Sequence, residues 1–302
     1  MSRWKKIRHR FELVGVRFLI FLPSVFPLKL SVRFSSLLGI LAFDVFRVRR
    51  RVSLENITRA FGDSMTDRDR IKTARRSYIN FAKSMVEFAS LQRPDRERLL
   101  RLVSIRGRGH IDEALAMGRG VVVVTGHFGS WEFLGAAAIA HGLPADFLVG
   151  EQSNTLVDDL MNGLRRKAGI GIISRGAGAR GIFSSLKKGR MVAIISDQDA
   201  RKHGVFADFF GIPASTFPGA AQFAYRTGAP IVFCYIVRQT DESHETVFLP
   251  PIIVDTSADK DTEILRLTVA HVRALEDAVR KHPDHYFWAH RRWKTKPPED
   301  RS

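Results

Sequence analysis

A histidine and a glutamate five residues apart, His127 and Glu132, close the run Gly120-Val-Val-Val-Val-Thr-Gly-His127-Phe-Gly-Ser-Trp-Glu132. An imidazole can take a proton from a hydroxyl, provided a carboxylate on its other nitrogen fixes the tautomer and steadies the imidazolium. On one straight helix a spacing of five brings side chains together poorly, because neighbours lie about three or four apart. With His127 in a turn and Glu132 in the first helical turn beyond it, the two can converge. The pattern is then a general base with no serine or cysteine nucleophile of its own. The same residues also suit a capping histidine beside a solvated glutamate.

The surroundings fit a strand, a turn and a helix. Four consecutive valines suit a strand covered on both faces. Gly126 and Gly129 permit a tight path around the histidine. A packed helix follows, ending near Gly142-Leu-Pro144. His127 therefore belongs at the carboxyl end of a strand, where open α/β sheets bind their ligands. Backbone N–H groups near Phe128 and Gly129, where that helix begins, are candidate donors to an oxyanion. Arg175 follows the strand Gly171-Ile-Ile-Ser174 and reaches the same edge, as do Asp197 and Gln198 after strand 191–196.

The chain has 302 residues, enough for one large α/β domain with extensions or for two smaller domains. It is 45% hydrophobic with 22 Phe, so a substantial core is available. The formal charge of +17 attracts polyanions such as an anionic membrane, an acidic protein or nucleic acid. Its single cysteine excludes an internal disulfide and a cysteine-based metal cluster. Cys234 lies in an apolar run and reads as a buried strand thiol. The histidines are too scattered for a metal site, and no metal or cofactor is expected. Gly176-Ala-Gly-Ala-Arg-Gly181 is glycine-rich, but dinucleotide binding is set aside there for want of strand-to-helix spacing.

Residues 1–51 are basic and apolar. Arg3, Lys5, Lys6, Arg8 and Arg10 precede an apolar segment over 11–28, and a second runs over 30–46. No Ala-x-Ala cleavage pattern follows the first, which argues against a secretory signal. Pro23 and Pro27 interrupt it, and Glu12, Arg17 and Arg33 interrupt both as spans of about 20 apolar residues. Amphipathic helices lying in one leaflet fit better, with both basic clusters on the cytoplasmic side. Residues 52–105 read as a helical lead-in, with an N-cap at Thr66 and an apolar stripe through Ile71, Ala74, Tyr78, Phe81 and Met85. From 106 to 296 strands alternate with helices. Strands are expected near 121–125, 146–149, 171–174, 191–196, 230–237 and 246–252, and helices near 131–141, 155–168, 179–188, 218–227 and 261–281. This is an α/β fold, a mixed and mostly parallel sheet flanked by helices. Residues 297–302 form a polar tail.

Gly-His127-Phe-Gly-Ser-Trp-Glu132 resembles the His-x4-Asp/Glu motif of the glycerolipid acyltransferases, and its Phe-Gly-x-Trp-Glu form resembles the late lipid A acyltransferases. Further segments carry the resemblance over most of 11–295. They are Arg51-Val-Ser-Leu-Glu-Asn56, Ser196-Asp197-Gln198-Asp199, Gly204-Val-Phe206, Asp208-Phe-Phe-Gly211, Thr227-Gly-Ala-Pro and Tyr286-Phe-Trp288-Ala-His-Arg-Arg292-Trp-Lys294. Ser130 stands where many members have Asn, and Phe61-Gly62 where many have Phe-Pro. Mycobacterial mannoside acyltransferases share the outline.

The resemblance implies transfer of a fatty acyl group from an acyl carrier protein thioester to a lipid hydroxyl. His127 would be the base and Glu132 its orienting group, with Arg175, Asp197, Gln198, Gly129 and Trp131 binding substrate. It implies a lipid A precursor, or another membrane lipid, as acceptor. The location would be the cytoplasmic face of a bacterial inner membrane. Nucleic acid is not expected as a partner, because the apolar N-terminal segments have no use there and no recognised binding motif appears. Arg201, Lys202 and His203, and the basic aromatic cluster of Trp288, His290, Arg291, Arg292 and Trp293, are candidates for phosphate or interface contact. A C-terminal anchor is the alternative for that cluster.

Overall fold

The computed structural model describes residues 3–298 apart from 151, 175 and 177. Its centre is the valine run, which forms β2 (Val121–Thr125), a strand buried along its length. Alternation sends its side chains to two cores. Val121 and Val123 pack against α7 (Trp131–Ala140), while Val122 and Val124 face α10 (Gly219–Thr227) and α11 (Lys260–Lys281). A strand covered on both sides has no use for polar side chains, which is why the run carries none.

The main sheet has seven strands in the order β1-β9-β8-β2-β5-β3-β4. Five run parallel: β8 (Ile231–Arg238), β2, β5 (Met191–Ile195), β3 (Ala145–Val149) and β4 (Gly171–Ser174). β9 (His244–Phe248) turns back antiparallel to β8, and β1 (Val103–Arg106) lies parallel to β9. The expected mixed, mostly parallel sheet between helices is therefore present. So are the six expected strands and five expected helices of this region, which also include α8 (Thr155–Lys167) and α9 (Gly178–Lys187). The helix α5 (Arg96–Leu102) falls within the expected helical lead-in, but four elements were not expected: β1, the helix α6 (Arg108–Ala116), and the hairpin strands β6 (Val205–Phe209) and β7 (Ile212–Thr216). Each is short, and only its sheet or hairpin partner supplies a reason to be ordered. The glycine-rich run 176–181 does join β4 to α9, so the objection from spacing fails. β4 is the sheet's outer strand, however, whereas the dinucleotide fingerprint follows a central one.

Ahead of the sheet come α1 (Arg3–Val25), α2 (Leu28–Ile40), a π-helical turn at Leu41–Val45, α3 (Arg50–Phe61) and α4 (Asp67–Ser90). Pro23 is carried inside α1, and the chain breaks only at Pro27. Thr66 caps α4 by accepting from the Asp69 amide at 3.2 Å. α4 ties this helical layer to the sheet through a buried ion pair: Arg238 donates to Glu87 Oε2 at 2.8 Å. α2 lies so close on α4 that a Cβ at Gly39 would meet the Ile79 backbone at 2.6 Å. No described helix is long and apolar enough to cross a membrane.

The chain beyond α11 folds back as a strap over the carboxyl edge of the sheet. Trp288, Trp293 and Tyr286 are buried in the core with Phe209 and Phe210. Asn56 of α3 fastens the strap, donating to the carbonyls of Trp288 (2.8 Å) and His290 (2.6 Å). Arg292 donates to Ser215 O at 2.8 Å and Thr216 Oγ1 at 2.6 Å, and Arg49 to Ala289 O at 3.1 Å. The terminal aromatic cluster is thus an anchor, and of its basic residues only Arg291 is exposed. Asn56→Ala leaves the buried Trp288 carbonyl without a donor and His290 O with only the Arg292 amide, and a stranded buried carbonyl costs about 1–3 kcal/mol. The expected outcome is a lower urea midpoint with an unchanged m-value, and faster amide exchange over 285–292.

Candidate functional site

Strand register builds the site. In the β2–β5 pair Thr125 lies opposite Ile195, and the Ser196 amide still donates to the Thr125 carbonyl at 3.1 Å. Two residues beyond each strand end therefore stand His127 and Asp197. Asp197 is fully buried. Its Oδ1 lies 2.7 Å from His127 Nδ1, and its Oδ2 accepts the His127 backbone amide at 2.9 Å. One carboxylate thus fixes both the ring and the backbone that carries it. Nδ1–H points at Asp197, and Nε2 has no hydrogen-bond partner among the described residues. The strap closes over the turn: Phe287 N donates to His127 O at 2.9 Å, and Gly129 N donates to His285 O at 2.8 Å.

The charges explain the protonation behaviour. Burial disfavours imidazolium at His127, but the Asp197 charge and hydrogen bond, with Glu132 adding, raise its pKa above the ordinary 6.5. Burial likewise opposes ionisation of Asp197, yet the His127 charge and hydrogen bonds hold its carboxyl well below the usual range. His290 stands behind the pair with Nε2 3.2 Å from Asp197 O and Nδ1 2.8 Å from Phe287 O. Burial lowers the pKa of His290, so a neutral ring sits there.

His127 opens onto a cavity of about 820 Å³. That volume lies within the roughly 300–1,000 Å³ range of small-ligand sites. The cavity runs from the carboxyl edge of the sheet, at Ser196, Gln198 and Arg201, down between β2, β3 and β5 and the helices α7 and α8. Its deep part is apolar, with Val123, Ala138, Ala145, Phe147, Met161 and Met191 in its walls. Cys234 also faces it, and burial pushes that thiol up to about 12, so no thiolate is available. The upper part is polar. Trp131 stands edge-on to His127, with ring centroids 5.1 Å apart, and Phe287 lies behind at 6.3 Å.

The structure changes several expectations. Glu132, expected on His127, instead forms a buried ion pair with Arg165 of α8, whose Nε donates to Glu132 Oε2 at 2.9 Å. Glu132 reaches His127 only through its field; Asp197 holds the hydrogen bond. Helical geometry is the reason: from the first turn of α7 the glutamate points down the cavity wall toward α8. Gly129 does not line the cavity. Its φ of +56° and the Ile236 carbonyl, 2.1 Å from a would-be Cβ, make it a turn residue. The amides of Phe128 and Gly129 already donate to Gly126 O and His285 O, both at 2.8 Å, so neither is free for an oxyanion. Trp131 and Gln198 do line the cavity, as does Arg201. Arg175 lies outside the described residues. Arg165 was not expected; its sole sign in the sequence is the Arg165-Arg166-Lys167 run closing a helix. The buried Ser130 hydroxyl, at the position where Asn is common, has no hydrogen-bond partner among the described residues.

Fold and site together define an α/β protein that sets a carboxylate-bound histidine at the mouth of a largely apolar chamber. The model of the family described as bacterial lipid A biosynthesis acyltransferase matches residues 4–295, and the chain belongs to this family. It is an acyltransferase. It is 26% identical over 262 residues to the lipid A biosynthesis palmitoleoyltransferase of Escherichia coli K12, covering 86% of this chain and 83% of that one. It is 26% identical over 275 residues to the lipid A biosynthesis lauroyltransferase of the same organism, covering 90% and 87%. A phosphatidylinositol mannoside acyltransferase of Mycobacterium tuberculosis H37Rv is 29% identical over 133 residues, 42% of each chain.

Should His127 serve as a base, its ring must be unprotonated to act. Activity is therefore expected to rise with pH through an inflection above 6.5 and then level off. In Asp197→Asn the anion that raises the imidazole pKa is gone, so the inflection moves to lower pH. The plateau falls by roughly 10²- to 10⁴-fold, the scale of general-base assistance. Initial rates across pH 5–9 check both shifts.

Proposed function

We propose that this chain moves a fatty acyl group from an acyl carrier protein thioester to the hydroxyl of a membrane lipid, a 3-hydroxyacyl chain of a lipid A precursor, with His127 as general base. The observation that carries this reading is the His127 ring, held at Nδ1 by Asp197 and open at Nε2 toward the apolar chamber. His127 Nε2 takes the proton of the acceptor hydroxyl as its oxygen attacks the thioester carbon. The tetrahedral oxyanion collapses, the C–O ester bond remains, the C–S bond breaks, and His127 returns the proton to the departing sulfur. Asp197 stabilises the imidazolium between those two transfers. The first-turn amides of α7, at Trp131 and Glu132, have no intrahelical acceptor and stand beside the cavity, which suits them to the oxyanion. The Glu132–Arg165 pair braces the wall between α7 and α8. Arg175, Gln198 and Trp131 remain proposed contacts for substrate.

The donor's acyl chain is assigned to the chamber beneath His127, at about 0.8 kcal/mol per buried methylene. Two features support the partners. The net charge of +17 complements an acidic carrier protein and anionic lipid. Large apolar side chains stand exposed on α1 and α2, among them Val14, Phe18, Phe21, Phe34 and Leu37. Basic residues flank them, as in helices that lie in a membrane interface. This supports monotopic attachment of residues 1–51 at the cytoplasmic face of a bacterial inner membrane. The mannoside-acylating relative supports a second reading, in which the acceptor is another lipid and the chemistry is unchanged.

His127→Ala is expected to abolish transfer from carrier-protein thioester to lipid while the protein remains folded. Unchanged transfer by that variant removes the proposed base. Ala138 lies deep in the chamber wall, and Ala138→Phe is expected to shift preference toward shorter thioesters. Competition between donors of different chain length, read by mass spectrometry of the product, measures that shift.

A further inference from the structure

Acyl transfer from a fatty thioester to a lipid hydroxyl brings two hydrocarbon chains to one histidine, and the chamber beneath His127 accounts for one of them. A second hollow, about 550 Å³ in volume, lies between α1, α2 and the segment leading into α8. Its walls include Gly15, Val16, Phe18 and Leu19 of α1, Leu38 of α2 and Val157 of α8. Gln152 and Ser153 line both this hollow and the chamber beneath His127, so the two adjoin across that segment. The boundary between them is polar and exposed, whereas the far side of the hollow is apolar. Asn154 fixes the junction, donating to His9 O at 2.8 Å and Glu12 Oε2 at 3.0 Å across to α1. The helices that form the hollow also carry the exposed apolar side chains, with Arg17 and Arg33 exposed among them.

We infer that this groove between α1 and α2 holds the hydrocarbon tail of the acceptor lipid's hydroxyacyl chain, entering sideways from the bilayer. The inference rests on the acyl-transfer reading above. The hydroxyl of such a chain divides it into a short polar end and a long apolar tail. With the hydroxyl at His127 Nε2, the polar end remains at the edge of the sheet and the tail passes Gln152 and Ser153 into the groove. The donor chain keeps the inner chamber, so the chains do not compete for one site. The apolar face of α1 and α2 then has two uses: it rests on the membrane and delivers the substrate from it.

Gly15 supplies the test, because a Cβ there meets nothing within 4 Å and a larger side chain extends into the groove without displacing the fold. In Gly15→Phe the KM for the lipid acceptor is expected to rise roughly tenfold or more, the scale on which apolar pockets discriminate chain atoms. The KM for the thioester stays unchanged. Photolabelling gives an independent readout in vesicles of phosphatidylethanolamine and phosphatidylglycerol. The probe is a phosphorylated glucosamine disaccharide lipid with a diazirine near the end of its hydroxyacyl chain. Label is expected on peptides covering residues 12–19, displaced by unlabelled disaccharide lipid and not by added phosphatidylglycerol. Equal displacement by phosphatidylglycerol, label confined to other peptides, or an unchanged acceptor KM in Gly15→Phe overturns the inference. Labelling of His127→Ala protein needs no turnover, so an error in the base assignment leaves this result intact.

Discussion

The site depends on the pairing of two parallel strands. Because β2 and β5 leave the sheet in register, residues two beyond each end stand side by side, and those residues are His127 and Asp197. A slip of one residue would turn each side chain to the opposite face of its strand. The valines of β2 prevent the slip, since both of their faces are buried against different cores. Sheet packing and proton chemistry are thus one constraint.

A buried carboxylate is stable only if its charge is met. Asp197 meets its charge with the His127 ring and backbone amide, and the same two bonds leave the other ring nitrogen facing the chamber. The neutral His290 and the strap behind it complete the enclosure without adding a competing positive charge. That strap is itself fastened by Asn56 and Arg49, far earlier in the chain. The helical lead-in therefore reaches the chemistry through the backbone of residues 285–293.

The same helical layer has two unlike sides. On one side α4 packs onto α2 and ties to the sheet through Glu87 and Arg238. On the other, α1 and α2 leave phenylalanines and leucines uncovered. An apolar patch of that extent on a protein of such positive charge has a natural counterpart in an anionic lipid surface.

The sequence alone determined most of the sheet and its order of elements, because hydrophobic period and glycine punctuation are local signals. The valine strand, the helices after it and the position of His127 at a strand end were all legible in residues 120–142. The short pieces β1, α6 and the β6–β7 hairpin were not, since only their partners make them ordered. The identity of the carboxylate on His127 was likewise beyond it. Glu132 is near in sequence, but its helix turns it toward Arg165, and Asp197 comes close only once β5 pairs with β2. Spacing along a chain fixes contacts within one turn or one helix. Which groups meet across two strands is decided by register, and register exists only after the sheet has formed.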